Sequence, residues 1–203
     1  MGSSGTTPDF DALYASDPDP WDVARSWYER RKIDLVLATL RRPRYRQAWD
    51  TACGTGDLAA ALASRCERVV ASDASARACE LTAATVAGCE EVVVEHSALP
   101  DAPAAVPPST ADLVVVSEVL YYLSSEQRAA SHRRIAAACA PSADVLAVHW
   151  APRPEDAHLS GAAAQRELND HLVGAGWTRL VTHTDIEFVL VLWSRDVPET
   201  IGR

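Results

Sequence analysis

The chain has 203 residues, 48% of them hydrophobic and 23% charged, with a formal net charge of −9. One domain of that length buries roughly two thirds of its unfolded surface, and the acidic balance argues against nucleic acid as the main partner, since phosphate recognition needs a basic patch. No apolar run reaches the ~18 residues of a membrane span; five scattered cysteines with no C-x-x-C pair read as reduced packing residues of a cytoplasmic protein without a zinc site.

Residues 1–16, rich in Gly, Ser, Asp and Pro, read as a disordered tail. A single domain is expected from 17 to 203, its residues 17–46 forming an N-terminal helical cap. A turn at Asp17–Trp21 feeds a helix from about Tyr28 to Arg41, with Ile33, Val36, Leu37 and Leu40 as the buried stripe and Pro43 as its stop. The aromatic residues ahead of the first strand suit either a clasp over the sheet edge or a lid over a cofactor, with Tyr28 or Arg31 reaching a ligand carboxylate and Trp27 reaching substrate.

The most informative stretch is Gln47 to Asp73: strand, glycine turn, helix, strand, then an acid. Gly54 and Gly56, flanked by Ala52, let backbone amides approach a ligand. Leu58, Ala61, Leu62 and Cys66 recur at helical spacing. Asp73 and Ala74 fall at the carboxyl end of the second strand, where an open parallel sheet binds its ligands, and the acid suits a ribose diol. The glycines also match the loose dinucleotide fingerprint. Asp50 opposes that reading, because its charge would repel a pyrophosphate; it suits a cationic nucleoside with a free amine, such as S-adenosyl-L-methionine.

A helix to about Ala87 and a third strand, Glu91 to His96, follow, then the turn Ser97-Ala98-Leu99 that would line an adenine. Leu113 to Val116 is an uninterrupted apolar run, read as a central strand buried on both faces. Glu118 at its end belongs to a site rather than a core, since an unpaired buried carboxylate costs several kcal/mol. Tyr121 and Tyr122 open the next loop, one expected to pack inward and the other to edge the pocket. Helix is expected over 125–140, a turn at Pro141–Ala143, and a fifth strand over Asp144–Trp150. Its end places His149 as the expected general base, oriented by Glu118, with Trp150, Arg153 and His158 toward substrate. Helix from Ala162 to Val173 and an antiparallel hairpin, 177–184 with 186–193, close the chain.

Three anchors, S-W-Y-E-R-R-K at 26–32, D-T-A-C-G-T-G at 50–56 and S-E-V-L-Y-Y-L at 117–123, with V-H-W at 148–150, make the chain resemble the NodS-like class I S-adenosylmethionine methyltransferases. The resemblance implies an α/β Rossmann-like fold whose seven-stranded sheet has order 3-2-1-4-5-7-6, and cofactor contacts at Asp50, Gly54, Gly56, Asp73, Ala98 and Glu118. Its actinobacterial branch implies methylation of a saccharide hydroxyl, as in methylmannose polysaccharide synthesis; N-methylation of an amino sugar or chitooligosaccharide is the alternative. A nicotinamide-dependent reductase and a non-catalytic cofactor-binding module are the more distant readings. A small-molecule acceptor, no metal, no nucleic acid, no membrane and a homodimer as the assembly to look for complete the expectations.

Overall fold

The computed structural model describes residues 8–196. In chain order the elements are α1 (Phe10–Ser16), α2 (Trp27–Thr39), β1 (Tyr45–Asp50), α3 (Asp57–Ala63), β2 (Cys66–Asp73), α4 (Ala76–Thr85) and β3 (Val92–His96). Then come β4 (Ala111–Ser117), a 3-10 turn at Leu120–Tyr122, α5 (Ser125–Ala138), β5 (Cys139–Trp150), α6 (Gly161–Gly174), β6 (Thr178–Thr184) and β7 (Phe188–Ser194). The strands form one sheet in the order β3-β2-β1-β4-β5-β7-β6. Only the β5–β7 and β6–β7 pairs are antiparallel.

The apolar run at 113–116 explains the middle of the sheet. All seven residues of β4 are buried, because helices cover both of its faces. One core cluster joins Trp49, Val114, Ile135, Leu168 and Trp193; the other joins Val36, Ala48, Leu62, Val115 and Leu190. At the end of the sheet where β4 and β5 begin, Asp144 accepts from Arg41 Nε at 3.1 Å and from the Tyr45 hydroxyl at 2.7 Å. The Arg41–Arg42 pair also reaches Asp196. This basic run therefore pins α2 to the far end of the sheet.

Three of the departures from the sequence reading change how a segment is understood; the others move an element's end by one or two residues. Residues 10–16 form a helix with Tyr14 buried, so the part of the expected disordered tail that is described is ordered; residues 1–7 lie outside the described residues. Asp9 caps this helix by accepting the Ala12 N–H at 3.0 Å. The turn expected at Pro141–Ala143 is instead taken into β5, which runs from Cys139 with a register shift against β4 between Ala111 and Leu113. Finally, β7 begins at Phe188 rather than at 186; Asp185 accepts the Glu187 and Phe188 N–H groups and leaves Ile186 at the exposed tip.

Candidate active site

The strand order reverses between β1 and β4, and the carboxyl ends of these two strands and of β2 and β5 converge there. Gly54 and Gly56 both have φ > 0, +54° and +91°, which glycine adopts without strain. A side chain at Gly56 would meet the Thr82 backbone at 2.9 Å, so the turn lies hard against α4. Asp73 accepts the Gly54 N–H at 3.0 Å through one oxygen and the Ser75 N–H at 2.9 Å through the other. Asp50 is fully buried, and neither of its carboxylate oxygens nor the Thr51 hydroxyl has a partner. Burial, with Asp73 close by, pushes the Asp50 carboxyl up to about 7.

Glu118 gathers the opposite wall. Its φ of +54° is rare for a side-chain-bearing residue and costs about 1–3 kcal/mol, offset by what it binds. One carboxylate oxygen accepts from the Tyr28 hydroxyl at 2.8 Å and the Lys32 ammonium at 3.0 Å. The other accepts from the Tyr121 hydroxyl and the Trp150 N–H, both at 2.7 Å. Burial alone would raise this carboxyl; Lys32, the Trp150 N–H and Tyr121 outweigh it and hold Glu118 below its ordinary value. Lys32 also donates to Glu29 at 2.8 Å.

These walls enclose a cavity of about 700 Å³. Its roof comes from the N-terminal segment: Phe10 and Trp21 line it, and Tyr14 lies over the Gly54 turn. Asp11 ties the roof down by accepting from the Ser75 hydroxyl at 2.6 Å, and Phe10 meets the Tyr122 ring edge-on at 5.1 Å. Six carboxylates line the cavity (Asp9, Asp11, Glu29, Asp57, Asp73, Glu118), against one cationic side chain, Lys32, among the described residues.

Residues 48–142 match the model of the family described as "Methyltransferase domain". A Pseudomonas syringae protein whose crystal structure is described as that of a "putative Methyltransferase" shares 36% identity over 84% of this chain and 100% of its own, with a TM-score of 0.72. The chain belongs to the class I S-adenosylmethionine-dependent methyltransferases. The N-methyltransferase NodS from Bradyrhizobium japonicum WM9, in complex with S-adenosyl-L-homocysteine, aligns at 19% identity over 93% of this chain and 98% of its own (TM-score 0.75). The [4+2]-cyclase SpnF aligns at 14% over 97% and 98% (TM-score 0.76), so shared architecture alone does not fix a reaction. No curated protein matches the chain.

The methyltransferase uses S-adenosylmethionine, and its site fits that cofactor. The orphaned Asp50 carboxylate suits a positively charged group, and at Gly54, where an added side chain would come within 3.0 Å of the Tyr14 hydroxyl, the bare backbone faces the cavity. Of the residues expected to hold it, Tyr28, Ala52, Gly54, Asp73, Ala74, Ala98, Leu99 and Glu118 all line the cavity. Gly56 and Ser97 support the turns without lining it. Asp50 lies directly behind the lining residues Thr51 and Ala52.

Four expectations need correcting. Arg31 does not face the cofactor: it pairs with Asp185 and Glu187 and stacks on Phe188 at 4.9 Å. One position along a helix turns a side chain by about 100°, so Lys32 faces the cavity instead. Arg153 donates to the Ala157 carbonyl and His158 uses its backbone N–H on the Tyr121 carbonyl, while Trp27 stands 66% exposed; none of the three lines the cavity. His149 is wholly buried and outside the cavity wall, and burial pushes its ring down to about 4. Successive strand residues point to opposite faces, so Trp150 takes the cavity and His149 the packing against α6. Glu118 does not orient His149 by a hydrogen bond: its four donors are Tyr28, Lys32, Tyr121 and the Trp150 N–H. Both Tyr121 and Tyr122 line the cavity.

Sequence reasoning missed Lys32, Glu29 and the part of the roof that comes from Phe10, Asp11 and Tyr14. The signal for the first two was present: 29, 32, 36 and 40 share one helical face, and all four are buried. A charged pair on a buried stripe marks a site.

Proposed function

We propose that this methyltransferase acts on a small, non-anionic saccharide acceptor and that an amine nitrogen, rather than a hydroxyl, is the methylated atom. The cavity charge carries the reading: six carboxylates and one ammonium disfavour phosphorylated or carboxylated acceptors and favour an amine. The aromatic walls, Trp21, Tyr121, Tyr122 and Trp150, suit stacking against the apolar face of a sugar ring. The cofactor, when bound, supplies a methyl group activated by a sulfonium.

In this reading Asp73 accepts from the ribose hydroxyls, Asp50 attracts the cofactor's ammonium from behind the Thr51–Ala52 wall, and the Ala98–Leu99 backbone borders the adenine. The chain's own task is alignment, which can supply ~7–11 kcal/mol of the barrier. An amine needs little beyond that once deprotonated, whereas a hydroxyl gains ~10²–10⁴ from a general base. An amine drawn in as the ammonium must first lose its proton to solvent; with His149 withdrawn and Glu118 saturated, that loss is easier than deprotonating a hydroxyl, and the amine is favoured. Methylation of a hydroxyl is the second reading, favoured by Glu29, a cavity-lining carboxylate whose pKa burial raises.

Labelled methyl transfer tests this over a panel of de-N-acetylated amino-sugar oligomers, neutral mannose oligomers and sugar phosphates. Amino-sugar turnover that exceeds neutral-sugar turnover, with sugar phosphates inert, is expected. Preferred transfer to sugar phosphates would overturn the reading.

A further inference from the structure

His149 is buried at the end of β5, yet its surroundings are not those of an inert core residue. Its Nε2 faces the Leu120 N–H at 3.4 Å, and that nitrogen can accept only if it carries no proton. Its Nδ1 has no partner of good geometry, and neither has the Gln165 Oε1 of α6. The start of α6 packs directly against His149, and Gln165 on that helix acts in the direction that favours a ring N–H. The Gln165 amide nitrogen is already committed, donating to the Ala147 carbonyl at 2.9 Å and the Val189 carbonyl at 3.3 Å. One tautomer satisfies every group: a proton on Nδ1 directed at Gln165 Oε1, and a bare Nε2 receiving Leu120.

What the ring holds in place is a wall of the cavity. Leu120 opens the 3-10 turn that carries Tyr121 and Tyr122, and the Tyr121 ring meets the imidazole edge-on at 5.5 Å. The Tyr121 hydroxyl in turn donates to Glu118. A side chain at Gly161 would come within 2.8 Å of the His149 Cβ and 1.9 Å of the Trp150 carbonyl, so α6 begins directly against this strand end.

We propose that His149 is a positioning residue for the acceptor: held as the neutral, Nδ1-protonated tautomer between Gln165 and Leu120, it fixes the 120–122 turn and takes no proton during turnover. The effect on acceptor binding rests on the proposed function, in which Tyr121 touches the acceptor. Glu118, Lys32 and His132 are the ionisable groups that act on the ring from its neighbouring elements.

Two variants separate the ring's two contacts. In His149→Gln the longer side chain can present an oxygen to the Leu120 N–H; in His149→Asn the shorter one can serve only Gln165. The acceptor KM of His149→Gln stays within about threefold of the parent, while that of His149→Asn rises about tenfold, the effect of one lost buried hydrogen bond. kcat and S-adenosylhomocysteine affinity by calorimetry change little in both. A kcat loss of about 10²–10⁴ in both variants, with KM unchanged, is the signature of a general base and would overturn the proposal. Nitrogen-15 NMR of the parent protein adds a readout that needs no acceptor: the ring should stay neutral with its proton on Nδ1 from pH 5 to 8. A titration within that range, or a proton on Nε2, refutes it. Failure of every tested acceptor would count against the proposed function and leave the NMR result to decide the role of His149.

Discussion

The ammonium of Lys32 and the carboxylate of Glu118 lie 3.0 Å apart, and this contact joins the helix that precedes the sheet to the end of its central strand. Lys32 has only 5% of its side chain exposed, whereas Glu118 opens on the cavity with 24%. Removing the cation strands two carboxylates, Glu118 and Glu29. Lys32→Met should therefore lower the unfolding free energy in urea by about 2–3 kcal/mol, less than a fully buried broken pair would cost. Adding Glu118→Gln to it should restore part of the loss. Strict additivity of the two substitutions would show that the residues are not coupled.

Asp73→Asn tests the ribose assignment. The substitution keeps one acceptor for the backbone N–H groups but removes the charge and one acceptor oxygen. S-adenosylhomocysteine should bind more weakly by about 1.5–3 kcal/mol, the worth of a hydrogen bond to a charged group. Calorimetry that finds parent affinity would remove Asp73 from the cofactor site.

Asp50 sets binding against stability. Its folded pKa is raised to about 7 from an ordinary 3.8, so its burial destabilises the fold progressively as pH rises through that window. Asp50→Asn should make the cofactor-free protein more stable at pH 8, by up to about 4 kcal/mol, while weakening S-adenosylhomocysteine. Thermal melts with and without ligand read both effects; a variant less stable without ligand would contradict the unpaired carboxylate.

His132, between α5 and α6, has its Nε2 unpartnered and its ring pushed down to about 4 by burial and by His171. A depressed histidine leaves the unfolded chain binding the extra proton between about pH 6.5 and 4, so stability falls on acidification across that window. His149 acts in the same direction, and Asp50 opposes them. His132→Phe should flatten the loss by up to about 1.4 kcal/mol per pH unit. An unchanged slope in denaturation midpoint against pH would refute this.

Asp144 accepts from Arg41 and Tyr45 at the far end of the sheet. Asp144→Ala should cost about 3–5 kcal/mol in urea unfolding, as a broken buried pair does. Cofactor affinity should be unaltered, since no atom of the cavity is involved. Affinity that drops in step with stability would show that the two ends of the sheet are not independent.

The fold was legible because its strongest signals are continuous in sequence. The apolar run at 113–116 marked the central strand, while the glycine turn between Asp50 and Asp73 and the S-E-V-L-Y-Y-L element carried the family resemblance, which implied the strand order that the structure has. Side-chain facing was harder to read. Arg31 and Lys32 are equally basic neighbours, and the one that enters the site is the one on the buried helical face of Glu29 and Val36, where it meets Glu118. His149 and Trp150 sit at the same strand end, but the pleat separates them. The helix at 10–16 is too short to persist alone; it depends on Phe10, Asp11 and Tyr14 meeting the turns of other strands, contacts that local composition does not report.

The lopsided charge of the cavity bears on selectivity toward compounds other than the acceptor. Adenosine is shared by many abundant metabolites, and most of them carry phosphates. Among the described residues the chamber offers six carboxylates and a single ammonium, a balance that would repel those nucleotides, so discrimination among adenosine compounds would rest on the charge of the tail more than on the shape of the base.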